Sequence, residues 1–357
     1  MRLFCALGLA ILIARPAHAD DPQAMPERVV VKHVSAKRRA AAVALAIVPG
    51  IVVHGIGAWT VGEKRAAKKL FVGEAVGLGV AGLSGLLVGG SGGNPYTVPA
   101  VPIVVAGSGL ILQSWIEDIF IAAGGENYRG QPRAVAPWSV ELGTSWLHDA
   151  YRERALLRGG GHIELFGRVV VGAEALVDAG GDAKIGEADA RVRILGAPAT
   201  GALIEDGSRL TARVGSRWHR DDDDRVTQWT QEIGIDGRLD LDRIDRAFRR
   251  TFIEAGAGLG IVHVSYGDVA KEWSSELIAH FAWGAYLCTR GEATVFYEHS
   301  RDGLVGGIPA WRASGFVGSV GATVDVRVHG PWAVRGELDI GNAYLTTLAV
   351  AYRGGPQ

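Results

Sequence analysis

The segment Phe296–Gly303 carries the residue types of a hydrolytic site. His299 could act as a general base, the Ser300 hydroxyl as a nucleophile, and Glu298 as the acid that orients the base. Such chemistry needs the base within about 2.6–3.2 Å of the nucleophile. Neighbouring residues of a strand point to opposite faces, so His299 and Ser300 would face apart and Glu298 would share the face of Ser300. The spacing therefore favours the interpretation that this segment is the end of a strand leading into a polar loop, and it argues against a catalytic pair.

Two other segments have the composition of ligand sites. Asp221–Asp224 is a run of carboxylates that could bind Ca²⁺, but it lacks EF-hand spacing and a following glycine, so an acidic solvated loop is the favoured interpretation. Ala255–Gly260 resembles the GxGxxG pattern only loosely and lies on a predicted strand with no helix after it, which indicates close strand packing. The sequence has no Walker loop, CxxC, HExxH or GxSxG. We therefore predict no metal, no cofactor and no enzymatic activity.

Arginine and carboxylate residues alternate with apolar residues along several stretches after Pro137. Successive side chains of a strand point to opposite faces, so the charged residues share one face of each stretch. They could form a selectivity lining or a ladder of salt bridges, and the mixture of both signs favours the ladder. The predicted interior residues are Glu141, Glu187, Asp189, Arg191, Arg193, Arg213, Arg217, Glu276, His280, Asp325 and Arg327.

The opposite face of the same stretches carries apolar and aromatic residues. Trp138 and Trp146 lie eight residues apart on one face, roughly 26 Å along a strand, which suits two interfacial girdles of a membrane barrel. The predicted interfacial aromatics are Trp138, Trp146, Trp218, Trp273 and Trp283. On the stretch that contains Trp283, we predict that Ala279 and Phe281 face lipid while His280 faces the interior.

The alternating stretches are long for strands of a soluble protein, which average about 5–6 residues, and match the length of about 9–11 residues that a tilted membrane strand needs. Eleven strands can be counted, one of them over residues 161–177. Single-chain bacterial barrels have even numbers, so we predict ten or twelve. The tight turns near residues 180, 290 and 330 cannot share one side under this count, which places the expected counting error between residues 197 and 273.

From these residues, the region Pro137–Gln357 resembles a bacterial outer-membrane β-barrel. Residues 344–353 resemble the last strand of such barrels, which alternates and ends on an aromatic residue, here Tyr352; Arg353–Gln357 extend beyond it. The resemblance implies the outer membrane of a Gram-negative bacterium. It also implies contact with the lipid bilayer and lipopolysaccharide, and recognition by the barrel-insertion machinery.

The first 19 residues have the pattern of a secretory signal peptide. Arg2 supplies the positive region, Leu3–Ala14 the apolar run, and Ala17-His18-Ala19 the cleavage site, so the mature chain is expected to begin at Asp20. Residues 20–35 form a polar lead. Cleavage leaves Cys288 as the one remaining cysteine, which excludes an intramolecular disulfide.

Residues 36–125 are apolar and rich in Ala and Gly, and we predict about three helices or helical hairpins there, at Ala40–Thr60, Leu70–Gly90 and Thr97–Ile116. Each is long enough to span a bilayer, but the small residues are equally compatible with a buried helical hairpin, and the sequence leaves both open. Residues 49–62 resemble the PGxGH-type turn of small bacterial membrane proteins with paired helices. Residues 126–136 form a linker.

The whole-chain composition narrows the function. The 37 basic and 38 acidic residues nearly cancel, which argues against a nucleic-acid partner. The fold class predicted is mixed: a Gly/Ala-rich helical segment followed by an antiparallel transmembrane β-barrel of about ten to twelve strands, over residues 137–357. The favoured function is a structural or weakly pore-forming barrel. The alternatives are a barrel enzyme acting on lipid through His299, and an inner-membrane protein with three helices and a periplasmic β-domain.

Overall fold

The computed structural model describes most of the chain after residue 33. The described ranges are 34–90, 100–124, 136–148, 153–181, 183–196, 207–222, 225–244, 250–267, 270–287, 290–299, 318–341 and 343–354. The expected signal peptide, nearly all of the polar lead and nearly all of the linker lie outside them. Residues Ala36–Gln357 form one compact unit.

The apolar segment forms four α-helices among the described residues: α1 (Ala36–Ile47), α2 (Ile56–Val61), α3 (Lys64–Gly90) and α4 (Val101–Ala122). The stretch over residues 40–60, expected to be a helix or a helical hairpin, is divided between α1 and α2. Pro49 begins a 3₁₀ turn, Pro49–Ile51, and Gly55 has φ +91°. A Cβ on Gly55 would lie 2.6 Å from the Ala67 carbonyl oxygen, so the chain turns here only because this residue is glycine.

Twelve antiparallel strands form a closed barrel in which each strand pairs with its neighbours in sequence and the first pairs with the last. The fold class and the even strand number predicted from sequence are confirmed. The strands are β1 (Trp138–His148), β2 (Glu153–Leu165), β3 (Val169–Asp178), β4 (Ala183–Leu195), β5 (Arg209–Asp221), β6 (Val226–Asp240), β7 (Thr251–Tyr266), β8 (Ala270–Leu287), β9 (Gly291–His299), β10 (Ser319–His329), β11 (Trp332–Ile340) and β12 (Tyr344–Gly354). We call the end where β1 begins and β12 ends the terminal end.

The strand that the sequence count missed lies within residues 161–177, so the predicted location of the error, between residues 197 and 273, is wrong. That stretch is the end of β2, a tight turn, and most of β3. The turn residues Phe166 and Gly167 have φ of 54° and 67°. Positions with positive φ in hairpin turns are normally occupied by Gly, Asn or Asp, and a phenylalanine there gives no sign of a turn.

The two faces of the barrel differ in character. Large apolar side chains on the outer face are exposed to the surroundings of the protein, and they include Leu142, Ile163, Val214, Ile233, Leu259 and Leu348. On β12, exposed and buried residues alternate without a break from Tyr344 to Tyr352. A contiguous apolar outer surface of this kind is typical of a protein that lies in lipid.

Glycines on the inner face make room for charged neighbours. A Cβ on Gly215 would lie 2.7 Å from a carboxylate oxygen of Glu232, and one on Gly172 would lie 2.8 Å from a carboxylate oxygen of Asp189. A Cβ on Gly256 would likewise overlap a carboxylate oxygen of Asp236. The 51 glycines of the chain therefore have, in part, a steric explanation: the interior cannot hold a long charged side chain at every inward position.

We expect Gly284→Val to destabilise the barrel. A Cβ at this inward position of β8 would overlap the ring of Phe252, and overpacking of this kind costs about 1–3 kcal/mol. Gly186→Val is the matched control, because a Cβ on Gly186 meets nothing within 4 Å. Urea unfolding of the protein in detergent, followed by gel mobility, measures both variants. Equal midpoints would show that Phe252 does not occupy the space beside Gly284.

Candidate functional site

The barrel encloses a cavity of about 530 Å³ that is lined mainly by charged and polar side chains. It is bounded by residues from β1 to β9 and from β11. Seven of the eleven predicted interior residues line it: Glu141, Glu187, Asp189, Arg191, Arg193, Arg213 and His280.

The other four predicted interior residues lie on the inner faces of their strands outside that cavity. Arg217 makes an ion pair with the cavity residue Glu187, at 3.0 Å between Nη2 and Oε2. Asp325 makes an ion pair with Arg353 of β12. Two residues further along β10 is Arg327, and the buried Glu276 lies on the same face of β8 as His280.

Arg158 is the centre of one network of ion pairs. Its guanidinium lies 3.3 Å from Glu141 (Nε–Oε1), 2.7 Å from Glu174 (Nη2–Oε2) and 3.7 Å from Glu337 (Nη1–Oε2). Arg335 also contacts Glu337, at 2.7 Å. The side chain of Arg158 is only 7% exposed. One guanidinium on β2 thus ties together β1, β3 and β11, on both sides of the seam where the barrel closes.

Arg238 is the centre of a second network near the terminal end. Its Nε lies 3.0 Å from Glu254 Oε1 and its Nη2 lies 2.7 Å from Glu292 Oε2. The guanidinium also stacks over the Phe252 ring, with 3.5 Å from Cζ to the ring centroid. Arg209 reaches the same Glu254, at 3.5 Å. Planar guanidinium groups are suited to such combined carboxylate and aromatic contacts.

Between the two networks, smaller groups of ion pairs lie along the inner wall of the barrel. Arg213 lies 3.5 Å from Glu232 and 3.4 Å from Asp236, and Arg191 lies 2.7 Å from Asp189 on its own strand. Positive and negative side chains alternate throughout this part of the interior. The mixed signs predicted from sequence are therefore combined into pairs.

Sequence reasoning missed the residues with the tightest contacts: Arg158, Glu174, Arg238, Glu254, Glu292, Arg335 and Glu337. Arg158 lay outside every predicted strand, because the strand that contains it was predicted to begin at residue 161. The others lay in predicted strands whose two faces had not been assigned. The period-two rule, applied from a correct strand count, would have placed all seven on the inner face.

Apolar side chains also fill part of the interior. Leu147, Leu156, Leu176, Ile185 and Leu345 form a buried cluster. They lie on the inner faces of β1 to β4 and β12, toward the end away from the termini. The alternation in the sequence had indicated a polar interior throughout. This apolar cluster was therefore not predicted.

The predicted interfacial tryptophans fall into two groups. Trp138, Trp146, Trp218 and Trp273 are exposed on the outer face, and Trp138 packs beside Tyr352, with 5.6 Å between ring centroids. Trp283 instead lies against Gly109 of α4. A helix covers this part of the wall, which strand periodicity cannot reveal.

The candidate hydrolytic and calcium segments show ordinary polar contacts where they are described. Glu298 lines the cavity, whereas His299 makes a hydrogen bond with Tyr297 Oη at 2.8 Å; Ser300 lies outside the described residues. Asp221 makes an ion pair with Arg154 at 2.9 Å, and Asp223 and Asp224 lie outside the described residues. Within the described ranges, no three His, Cys, Asp or Glu side chains are grouped as metal ligands.

A separate polar cluster joins the turn before α2 with α2, α3 and α4. The backbone N–H of His54 donates to Glu74 Oε2 at 2.9 Å, and His54 Nδ1 contacts Ser114 Oγ. Asp118 accepts hydrogen bonds from the N–H groups of Gly57 and Ala58 at the start of α2. The polar residues that interrupt the apolar stretches of the sequence therefore satisfy one another, as buried polar groups must.

Comparison with known proteins returns barrels and nothing more specific. No family model matches the chain, including residues 49–62, so their resemblance to PGxGH-type turns has no support. No curated protein matches it either.

The barrel resembles outer-membrane barrels. Among solved structures, the NanC porin matches with 8% identity and a TM-score of 0.37, over 60% of this chain and 100% of its own. The translocator domain of the autotransporter NalP from Neisseria meningitidis matches with 13% identity and a TM-score of 0.36, over 63% and 91%. Omp33 of Acinetobacter baumannii matches with 6% identity and a TM-score of 0.32, over 62% and 100%. The likeness is that of a β-barrel and extends no further.

We expect Arg158→Met to lower the free energy of unfolding by about 3–5 kcal/mol, because it leaves three carboxylates in the interior without their shared partner. Arg191→Met is the matched control. Its side chain is 52% exposed and forms an ion pair with Asp189, so the expected loss is below about 1 kcal/mol. Urea titration in detergent measures both. Equal losses would mean that Arg158 does not organise the interior.

The helical cluster should weaken in acid. Burial lowers the pKa of His54 below its ordinary value of 6.5, and the Glu74 and Asp118 carboxylates oppose this shift only in part. A group whose pKa is lower in the folded chain takes up its proton more readily when unfolded. The stability contributed by neutral His54 is therefore complete above about pH 6.5 and falls as the pH drops below it.

Hydrogen-exchange protection of the Gly57 and Ala58 amides, which bond to Asp118, measures this effect. Protection in the wild-type protein should be level from about pH 7.5 to pH 6.5 and fall from there to about pH 5. In His54→Gln, which cannot titrate, it should stay level across that interval. A wild-type profile as flat as that of the variant would contradict the assignment.

Proposed function

We propose that this chain is an outer-membrane β-barrel protein whose interior is a narrow, charge-paired passage, structural in character and weakly conducting to small ions. The observation that carries the proposal is the charged cavity inside a closed barrel whose outer face is apolar. A closed barrel satisfies every backbone hydrogen bond internally, so it can reside in lipid. The apolar outer face supports that location.

The Gram-negative outer membrane, with lipopolysaccharide around the barrel and delivery by the insertion machinery, is the setting that this architecture fits best. An export signal in residues 1–19 accords with it. The alternative of a soluble periplasmic β-domain would leave large apolar side chains all around the outer face, among them Leu142, Ile233 and Leu259, exposed to water. That cost argues against the alternative.

The contacts inside the barrel support weak conduction of ions and argue against a wide, open pore. Arg158 and its three carboxylates reach across β1, β2, β3 and β11, and the apolar cluster around Leu156 fills space toward the far end. The alternating charges leave little net field to favour one sign of ion. The salt-bridge ladder, with a structural role, is thus the better supported interpretation of the predicted interior residues.

A catalytic role for His299 has little support. Its ring is occupied by the Tyr297 hydroxyl, and Glu298 points into the cavity on the other face of the strand. We therefore propose no enzymatic activity.

Conductance in planar bilayers tests the proposal. The wild-type protein should show small single-channel steps, and Arg158→Ala should show larger ones, because removing the guanidinium vacates the middle of the network. Leu142→Ala is the control, since Leu142 lies on the same region of wall but on its outer face, and its conductance should match that of the wild type.

The absence of channels in both the wild type and Arg158→Ala, with folded protein verified by gel mobility, would contradict the conducting role. Equal large steps in all three proteins would contradict the narrow, charge-paired interior.

A further inference from the structure

The helix α4 lies against the outer wall of the barrel. Val105 is fully buried with Tyr297 of β9, and Phe281 and Val295 pack against the same pair. These strand residues share the outward face, since the neighbouring His280 and Glu298 line the cavity. Phe281, predicted from sequence to face lipid, is on the outer face but is covered by α4.

Small residues allow this contact and the contact between α3 and α4. Gly109 lies against the Trp283 indole with no space for a Cβ. A Cβ on Gly77 would lie 2.8 Å from the Gly107 carbonyl oxygen, and one on Gly107 would lie 2.5 Å from the Ala81 nitrogen. Close approach of backbones through such residues is the usual way in which helices associate in lipid.

The face of α3 turned away from α4 is apolar and exposed. Its exposed large side chains are Phe71, Val72, Val76, Leu78, Leu83, Leu86 and Leu87. Two described helices are long and apolar enough to cross a membrane, Lys64–Leu87 and Ile103–Ala122, and only 22% of the apolar window of the first is buried within the protein. A core helix of a soluble protein would be mostly buried, so the buried-hairpin alternative does not describe α3.

The apolar lengths match a bilayer. Residues 70–87 of α3 span about 27 Å at 1.5 Å per residue, close to the hydrocarbon thickness of about 30 Å. The one charged residue among them is Glu74, which is buried and accepts the hydrogen bond from His54. The exposed surface of this stretch therefore carries no charge.

The polar boundary of the hairpin coincides with the terminal end of the barrel. Glu117 and Phe120 of α4 lie beside Arg250 and Thr251, where β7 begins, and the Arg250 guanidinium is 5.6 Å from the Phe120 ring centroid. Leu70 of α3 packs in a cluster with Ile121 at this same level. The first turns of α3, just before Leu70, carry four exposed basic residues: Lys64, Arg65, Lys68 and Lys69.

We propose that the α3–α4 hairpin is embedded in the bilayer beside the barrel, with lipid acyl chains covering the exposed face of α3. The four basic residues then lie at the membrane surface on the terminal side, where they contact headgroup phosphates. This rests on the proposed membrane location of the barrel, because the strands that hold α4 supply its depth. The basic residues of α3 lie level with the strand ends at the terminal end of the barrel, and this agreement selects lipid as the occupant.

Depth-dependent fluorescence quenching tests the proposal on the full-length protein in phospholipid vesicles. In a background with Cys5→Ser and Cys288→Ser, an environment-sensitive fluorophore is attached through Leu78→Cys, Leu348→Cys or Arg65→Cys. Leu78 of α3 and Leu348 on the outer face of β12 are similarly exposed leucines, 56% and 62%. Both should lose fluorescence to a similar extent in lipids brominated at mid-chain. The Arg65 label should respond to a headgroup nitroxide instead.

Quenching at Leu348 without quenching at Leu78 would overturn the embedded hairpin and leave the barrel proposal standing. Iodide quenching at Leu78 would then place α3 in water, and resistance to both quenchers would place it under a second copy or another protein. The absence of lipid quenching at Leu348 would contradict the membrane location of the barrel itself.

Discussion

The pairing of β1 with β12 is the interaction on which the rest of the structure depends. Eleven residue pairs join the two strands, from Trp138↔Gly354 to His148↔Tyr344, and inside the seam Ser145 Oγ and Thr347 Oγ1 are hydrogen bonded at 2.8 Å. Closure removes the sheet edges that would otherwise present unpaired backbone groups. It also divides the side chains into an inner and an outer set with different solvents. The charge pairing on the inner face and the apolar character of the outer face both follow from this division.

The inner set must pair its charges and the outer set must find apolar surroundings. Inside, arginines and carboxylates are held within a few ångströms of one another, and inward glycines such as Gly215 leave space for those long side chains. Outside, most of the wall keeps exposed leucine, isoleucine and valine, while α4 covers the part of β8 and β9 around Trp283 and Tyr297. α3 is rich in Gly and Ala, and it approaches α4 closely through Gly77 and Gly107.

Much of the barrel is predictable from the sequence because period-two alternation is a local property. The alternation over residues 344–353 gives β12 almost to the residue, and that over 274–287 gives the two faces of β8. Three features escaped it. The turn at Phe166 has no turn-forming residue in its first position, so two strands were taken for one. Arg158 of β2 reaches Glu337 only because closure brings β11 to the far side of β12, within reach of a long side chain. The cover over Trp283 comes from a helix distant in sequence, which no strand pattern contains.

Closure can be measured directly by cross-linking the seam. In a cysteine-free background, Ser145→Cys combined with Thr347→Cys places two thiols at paired inward positions of β1 and β12, whereas Ser145→Cys combined with Thr346→Cys places them on opposite faces. Mild oxidation followed by peptide mass spectrometry should find an intramolecular disulfide in the first protein and none in the second. Failure of the 145–347 pair to cross-link, or cross-linking only between chains, would contradict a closed barrel.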